Sequence, residues 1–288
     1  MPEAQSSVKR LGIVGAGHMG SGVAEVASKA GFDVVLRSRT PEAADAALGG
    51  LAKSLARQVE RGRLEADAAD DITARVRGVT DLGELAACDL VLEAVIEDLP
   101  AKKEVFRELD RLCAPNAILA SNTSTLPIIE LAMVTDRPDR VCGLHFFNPA
   151  PVMSLVEIAR ALTTSDETLD EVRAFVNACG KTGVLVKDQS GFVVNALLFP
   201  YLNNAVKLYD AGVATREDID AAMKGGCNYP MGPLELVDLV GLDVSLAILD
   251  ALHKEFGDPN FAPALLLRRM VAAGRLGRKT GSGFYEYG

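Results

Sequence analysis

A strand, a glycine turn, a helix and a second strand follow one another without interruption from Lys9 to Thr40. Strand and helix patterns keep alternating to about residue 190, and beyond it only helical patterns remain. These observations predict an α/β fold: a Rossmann-type, mostly parallel sheet domain over residues 1–190, followed by an all-helical C-terminal domain over residues 191–288.

The first strand rests on Leu11, Ile13 and Val14, a short apolar run, and the helix after it on Met19, Val23, Val26 and Ala27 at helical intervals. Between them Gly15, Gly17 and Gly20 have G-x-G-x-x-G spacing, with Ala16, His18 and Met19 filling the turn. The first glycine permits a tight turn, the second lets a pyrophosphate approach the backbone, and the third lets helix pack on strand. The phosphate then sits at the helix N-terminus, where backbone N–H groups and the helix dipole favour an anion. The second strand, Asp33 to Arg37, ends where a ribose-binding residue belongs. An acid there would hold the 2′-hydroxyl of NAD, but the chain offers Arg37, Ser38 and Arg39, which better suit a 2′-phosphate.

Pro41 to Leu64 carries Leu48, Leu51, Leu55 and Val59 on one helical face, predicting a single long helix. Strands are expected at Val76 to Val79, Leu90 to Ala94 and Ile118 to Ala120, with a helix from Ala101 to Leu112. Val141 to His145 and Ser154 to Ile158 read as two short strands whose connection, FFNPAPVM, suits an antiparallel pair. A helix from Asp166 to Cys179 and a strand from Gly183 to Val186 complete the first domain. The turn-rich DQSGF precedes helices at Val193 to Ala211, with Pro200 expected to kink it, then Arg216 to Met223, Leu234 to Val240, Val244 to Phe256 and Ala264 to Ala273. Such an apolar helical tail is expected to hide its remaining face in a homodimer.

Composition narrows the function classes. With 49% hydrophobic residues, 24% charged residues and a net charge of −9, the chain is expected to be globular and cytoplasmic and to bind neither nucleic acid nor a membrane. No apolar run reaches the roughly 18 residues of a membrane span, and MPEAQSSVKR lacks the apolar segment of a signal peptide. Cys88, Cys113, Cys142, Cys179 and Cys227 show no C-x-x-C spacing and the three histidines no ligand cluster, so reduced thiols and no metal are expected.

Four further motifs carry the chemistry: SNTST at Ser121 to Thr125, HFFNP at His145 to Pro149, LVEI at Leu155 to Ile158 and GFVVN at Gly191 to Asn195. An alcohol dehydrogenase without a metal needs a base, a group that orients the base, and donors for the developing oxyanion. His145 suits the base, because imidazole titrates near neutral pH. If the two short strands pair, Glu157 falls opposite it and can hold its tautomer. With YPMGPLELVDLVGLD and LGRKTGSGFYEY downstream, the chain resembles the 3-hydroxyacyl-CoA dehydrogenases, of the 3-hydroxybutyryl-CoA dehydrogenase type, from end to end.

The resemblance implies that His145 and Glu157 are the catalytic pair, and that Ser124 and Asn195 hydrogen-bond the substrate oxygen. It also implies cofactor contacts at Glu97, Lys102, Asn148 and Lys279, although both lysines are equally readable as surface residues. Lys53, Ser54 and Arg61 fall at or beside positions used for CoA, with an ordinary solvated helix face as the equal alternative. Two positions depart from the family pattern. Ser38, followed by Arg39, replaces the expected acid, and Ala196 stands where an arginine commonly follows the GFxVN asparagine. The first departure predicts a preference for NADP(H), with NAD(H) as the other cofactor the fold accommodates. The expected activity is interconversion of (S)-3-hydroxyacyl-CoA and 3-oxoacyl-CoA, with 3-hydroxybutyryl-CoA and acetoacetyl-CoA as the short-chain pair. The alternatives are a dehydrogenase of a free hydroxy acid, a carnitine-like or a carrier-bound substrate, and, remotely, a nucleotide-binding protein without catalysis.

Overall fold

Strand β1 (Arg10–Val14) lies inside the sheet, with β2 (Asp33–Arg37) parallel on one side and β4 (Leu90–Glu93) parallel on the other. The computed structural model describes residues 6–288, and the chain divides into one unit ending at Asp188 and a second from Gln189 to Gly288.

In the first unit β3 (Val76–Val79) extends the sheet beyond β2. On the other side come β5 (Ile118–Ser121), β6 (Val141–Phe146), β7 (Leu155–Arg160) and β8 (Thr182–Lys187), giving the order β3-β2-β1-β4-β5-β6-β7-β8. All neighbours are parallel except β6 and β7, which pair antiparallel as the short FFNPAPVM connection requires. The order reverses between β1 and β4, and a doubly wound sheet opens its ligand crevice beyond the carboxyl ends of the strands at such a point. The helices of this unit are α1 (His18–Lys29), α2 (Pro41–Glu60), α3 (Ala66–Ala74), α4 (Leu99–Leu112), α5 (Ile128–Ala132) and α6 (Asp166–Ala178). Side chains of Thr40, Asp98 and Ser165 cap α2, α4 and α6 by accepting from backbone N–H groups three residues on. Strands β4, β5 and β6 are buried at every residue, as expected of a sheet covered on both faces. Leu11, Ile13, Val23, Leu36, Leu90, Leu92, Ile118 and Ile158 are at the heart of this core.

The single long helix expected from Pro41 to Leu64 is corrected by the structure. It stops at Glu60, Gly62 turns the chain with φ +64°, and α3 follows. Gly62 is the left-handed residue just past the helix end, where a side chain would be strained. The apolar Val59 and Leu64 fall on opposite sides of that turn, both against the core.

The second unit contains α7 (Val194–Asp210), α8 (Arg216–Cys227), α9 (Pro233–Val240), α10 (Leu242–Phe256) and α11 (Leu265–Ala272). Phe199, Leu202, Val206, Leu234, Leu249, Leu252, Leu267 and Phe284 share its core. Two buried aspartates organise it. Asp220 accepts from the backbone N–H groups of Leu234 (2.8 Å) and Glu235 (3.0 Å) at the start of α9, and from the Tyr285 hydroxyl (2.8 Å). Asp238 accepts from the backbone of Phe284 (2.9 Å) and Tyr285 (2.8 Å) and from the Tyr287 hydroxyl (3.0 Å), fixing the C-terminal tail to α9. Burial and the bond to Asp238 push the Tyr287 phenol up to about 12. No helix among the described residues is long and apolar enough to cross a membrane.

Candidate active site

The turn between β1 and α1 is built by steric necessity. Gly15 has φ +120°, and a Cβ there would stand 2.4 Å from the Ala94 carbonyl oxygen. A Cβ on Gly20 would stand 1.8 Å from the Gly15 carbonyl oxygen, so helix and turn touch through hydrogen alone. Gly17 differs, because no atom of the described residues lies within 4 Å of the place its Cβ would take. It is the N-cap of α1, no side chain caps that helix, and Gly17 and His18 are exposed. An open glycine before an uncapped helix start, with nothing of the protein's own to fill it, fits a pyrophosphate.

At the end of β2 the structure separates the two residues proposed to read the ribose. Ser38 is buried: its backbone N–H donates to Val79 O (2.9 Å) and its hydroxyl to Thr40 O, within the turn that starts α2. Arg39 is exposed and makes no side-chain hydrogen bond or ion pair with the described residues. Arg37 is occupied structurally, its Nε donating to Thr80 O at 2.9 Å.

Beyond β4 and β5 lies a polar cluster only partly visible in the sequence. Glu93, the last residue of β4, is fully buried; its Oε1 takes the Lys102 ammonium at 2.7 Å and the Val95 N–H at 2.6 Å, and its Oε2 the Ser121 hydroxyl at 2.6 Å. Lys102 is therefore no surface lysine: it is 1% exposed, with Glu97 on its other side at 3.3 Å. Glu97 in turn grips the SNTST loop, its Oε1 accepting from the Thr123 hydroxyl (2.5 Å) and the backbone N–H groups of Ser124 (3.1 Å) and Thr125 (3.3 Å). Desolvation pushes the Glu97 carboxyl up, but Lys102 and these hydrogen bonds outweigh it and hold it below the ordinary glutamate range. From the other end of the same loop the Asn122 side chain accepts from the Phe146 N–H at 2.9 Å, tying the loop to β6 beside His145.

His145 and Glu157 are register partners across β6 and β7, and His145 Nδ1 lies 2.8 Å from Glu157 Oε2. Both are buried, and the Phe147 ring packs on the imidazole with centroids 4.4 Å apart. A carboxylate beside Nδ1 favours the tautomer that donates from Nδ1 and keeps an acceptor lone pair on Nε2.

Residues 10–189 match the 3-hydroxyacyl-CoA dehydrogenase NAD binding domain, and residues 191–287 the 3-hydroxyacyl-CoA dehydrogenase C-terminal domain. The chain belongs to the 3-hydroxyacyl-CoA dehydrogenase family. It is 49% identical to a probable 3-hydroxybutyryl-CoA dehydrogenase of Bacillus subtilis, over 97% of this chain and 98% of that one. It is 47% identical to a 3-hydroxybutyryl-CoA dehydrogenase of Mycobacterium tuberculosis, over 98% and 99%. The crystal structure of the (S)-3-hydroxybutyryl-CoA dehydrogenase from Ralstonia eutropha superimposes with a TM-score of 0.95 at 44% identity, covering 98% of this chain and all of that one.

Other residues singled out in this 3-hydroxyacyl-CoA dehydrogenase chain are placed as follows. Asn148 is exposed in the loop after β6, and Lys53 is exposed on α2. Ser54 is half-buried, with its hydroxyl 3.4 Å from Gln58 Nε2 beside Glu25. Arg61 is not on the long helix but caps its C-terminal end, exposed. In the second unit Asn195 is buried in the first turn of α7, and Lys279 pairs with Asp243 at 2.5 Å. Sequence reasoning missed Glu93 and Asn122.

Proposed function

We propose that this chain interconverts (S)-3-hydroxybutyryl-CoA and acetoacetyl-CoA with a nicotinamide cofactor, preferring NADP(H). The observation that carries this reading is the buried His145–Glu157 pair, set across two strands next to a loop that presents Ser124. When bound, the reduced cofactor supplies the hydride. The chain's own groups manage the proton and the oxygen: protonated His145 gives its Nε2 proton to the carbonyl oxygen, and Glu157 stabilises the imidazolium before that transfer. Ser124, whose loop is clamped by Glu97 and Asn122, offers a hydroxyl to the same oxygen. In the oxidative direction His145 takes the hydroxyl proton instead.

The NADP(H) preference is supported by the absence of a carboxylate at the end of β2 and by the exposed Arg39. Since the Ser38 hydroxyl is used inside the turn, recognition of a 2′-phosphate falls to the Arg39 guanidinium. Initial rates with NADPH and NADH test this. Wild type should favour NADPH, and Arg39→Ala should lower kcat/KM for NADPH by about tenfold or more, the loss expected for a charge-assisted bond, while sparing NADH. A wild type that favours NADH contradicts the preference. For the acyl carrier, Lys53 and Arg61 are exposed and available to CoA phosphates. Charge reversal at both should raise KM for acetoacetyl-CoA and leave a free keto acid untouched. We further propose that the second unit provides a homodimer contact, since Leu197, Val213 and Leu265 are more than half exposed there; sedimentation equilibrium reads the mass directly.

A further inference from the structure

The loop from Phe147 to Ser154 joins the strands that carry His145 and Glu157 and bears Asn148. One side of it is gripped by Lys181, which stands between α6 and β8 in none of the motifs described above. Its ammonium donates to Met153 O at 2.8 Å, Ala150 O at 2.9 Å and Pro151 O at 3.3 Å. An ammonium has three N–H donors, so all of them end on one four-residue stretch. No carboxylate pairs with Lys181 among the described residues, and its charged neighbour is Lys29. Burial beside that second cation holds Lys181 below the ordinary lysine range, so its position is retained against an electrostatic cost. The other side of the loop rests on α1: a Cβ on Gly22 would meet Ala150 Cβ at 3.2 Å and Pro151 Cδ at 3.4 Å. The loop is thus held between a cation that gathers its carbonyls and the helix whose first turn forms the phosphate cradle.

We propose that Lys181 is a positioning residue for cofactor binding: by drawing the carbonyls of Ala150, Pro151 and Met153 together it seats the loop on α1 and fixes the backbone that carries Asn148. This rests on the dehydrogenase reading given above. Charge-assisted bonds are about twice as strong as neutral ones, so a neutral side chain of equal length cannot replace them. A lysine of purely structural use would affect stability and leave the balance of Michaelis constants alone, and that difference makes the proposal testable.

The test compares the full-length wild type with Lys181→Met, Lys181→Arg and Gly22→Ala. Thermal midpoints, initial rates with acetoacetyl-CoA and fluorescence titrations with the reduced cofactor that the wild type prefers are measured. The chain has no tryptophan, so nicotinamide emission is read without that background. Lys181→Met should raise both KM and Kd for the cofactor by about tenfold or more, with KM for acetoacetyl-CoA within about twofold of wild type. Lys181→Arg, which keeps a cation with several donors, should recover most of the loss. Gly22→Ala, which presses on Ala150 from the other side with Lys181 intact, should shift the cofactor constants in the same direction. If both KM values of Lys181→Met stay within about twofold of wild type, or rise together, the proposal is overturned whatever the thermal midpoint. Should Lys181→Met fail to fold, unchanged cofactor constants in Gly22→Ala overturn it equally. A wild type that binds the cofactor but does not reduce acetoacetyl-CoA refutes the dehydrogenase reading instead, and the titration still decides the role of Lys181.

Discussion

Glu97 shows how one side chain transmits order to a loop that has little of its own. Its carboxylate meets a buried lysine on one side and four donors of the SNTST loop on the other. Because its proton affinity is lowered in the folded state, the stability it contributes is fully present above the ordinary glutamate value of 4.5 and fades as pH falls through the depressed value. The difference in thermal midpoint between wild type and Glu97→Gln should stay constant from about pH 8 to pH 6 and close only on the acid limb, below 4.5. A gap that closes near neutrality contradicts this placement. The opposition of His145 and Glu157 was readable from the sequence, because a connection as short as FFNPAPVM leaves an antiparallel pair little freedom of register. The burial of Lys102 was harder to read, since α4 is otherwise rich in charge. The signal was there: Lys102, Phe106 and Leu109 share one buried helical stripe. Glu93 left a fainter one, a single acid ending an apolar strand. Ser38 marks the limit, because nothing in its neighbours tells whether a hydroxyl turns outward to a ligand or inward to Thr40.

At the scale of elements, the glycine turn separates folding from binding. Gly20→Ala would drive a methyl into the Gly15 carbonyl oxygen and should abolish stable folding of the turn. Gly17→Ala meets no atom of the described residues and sits at ordinary backbone angles, φ −75°. It should leave the thermal midpoint near that of wild type while raising the cofactor Kd by about tenfold or more, since the methyl occupies the approach of the pyrophosphate. Equal cofactor affinity in the two proteins contradicts that reading of the cradle. The spacing of the glycines made this element legible in full. The division between α2 and α3 was not, because an unbroken helical pattern dominated the view, although Gly62 followed by a new acidic helix start supplied the punctuation.

For the whole molecule, the two units differ in what the sequence disclosed. The alternating pattern of the first announces a parallel sheet, and the apolar periodicities of the second announce helices. What fixes the second, however, is two acids inside it. Asp238→Ala would remove the acceptor of two backbone N–H groups and a tyrosine hydroxyl. The Phe284 N–H is the buried one of the three, and a buried group left without a partner costs about 1–3 kcal/mol, so the loss should be of at least that order, visible as a lower urea midpoint. An unchanged midpoint contradicts the assigned role of Asp238. Pattern reading misses such residues because it treats a lone acid among apolar positions as solvent-facing, whereas Asp238 is 1% exposed. The segments LVDLVG and GFYEY are thus joined by hydrogen bonds through Asp238.

The fold places β6 and β7, those strands set His145 against Glu157, and the SNTST loop beside them is held by Glu97 and Asn122. The proposed proton transfer rests on that pair. The most direct measurement is kcat for acetoacetyl-CoA reduction by wild type and His145→Ala at neutral pH. A loss of about 10²–10⁴-fold, with KM for acetoacetyl-CoA nearly unchanged, is the result predicted for a general acid acting in the transition state. A variant that keeps kcat within a few-fold of wild type would show that the proton comes from elsewhere.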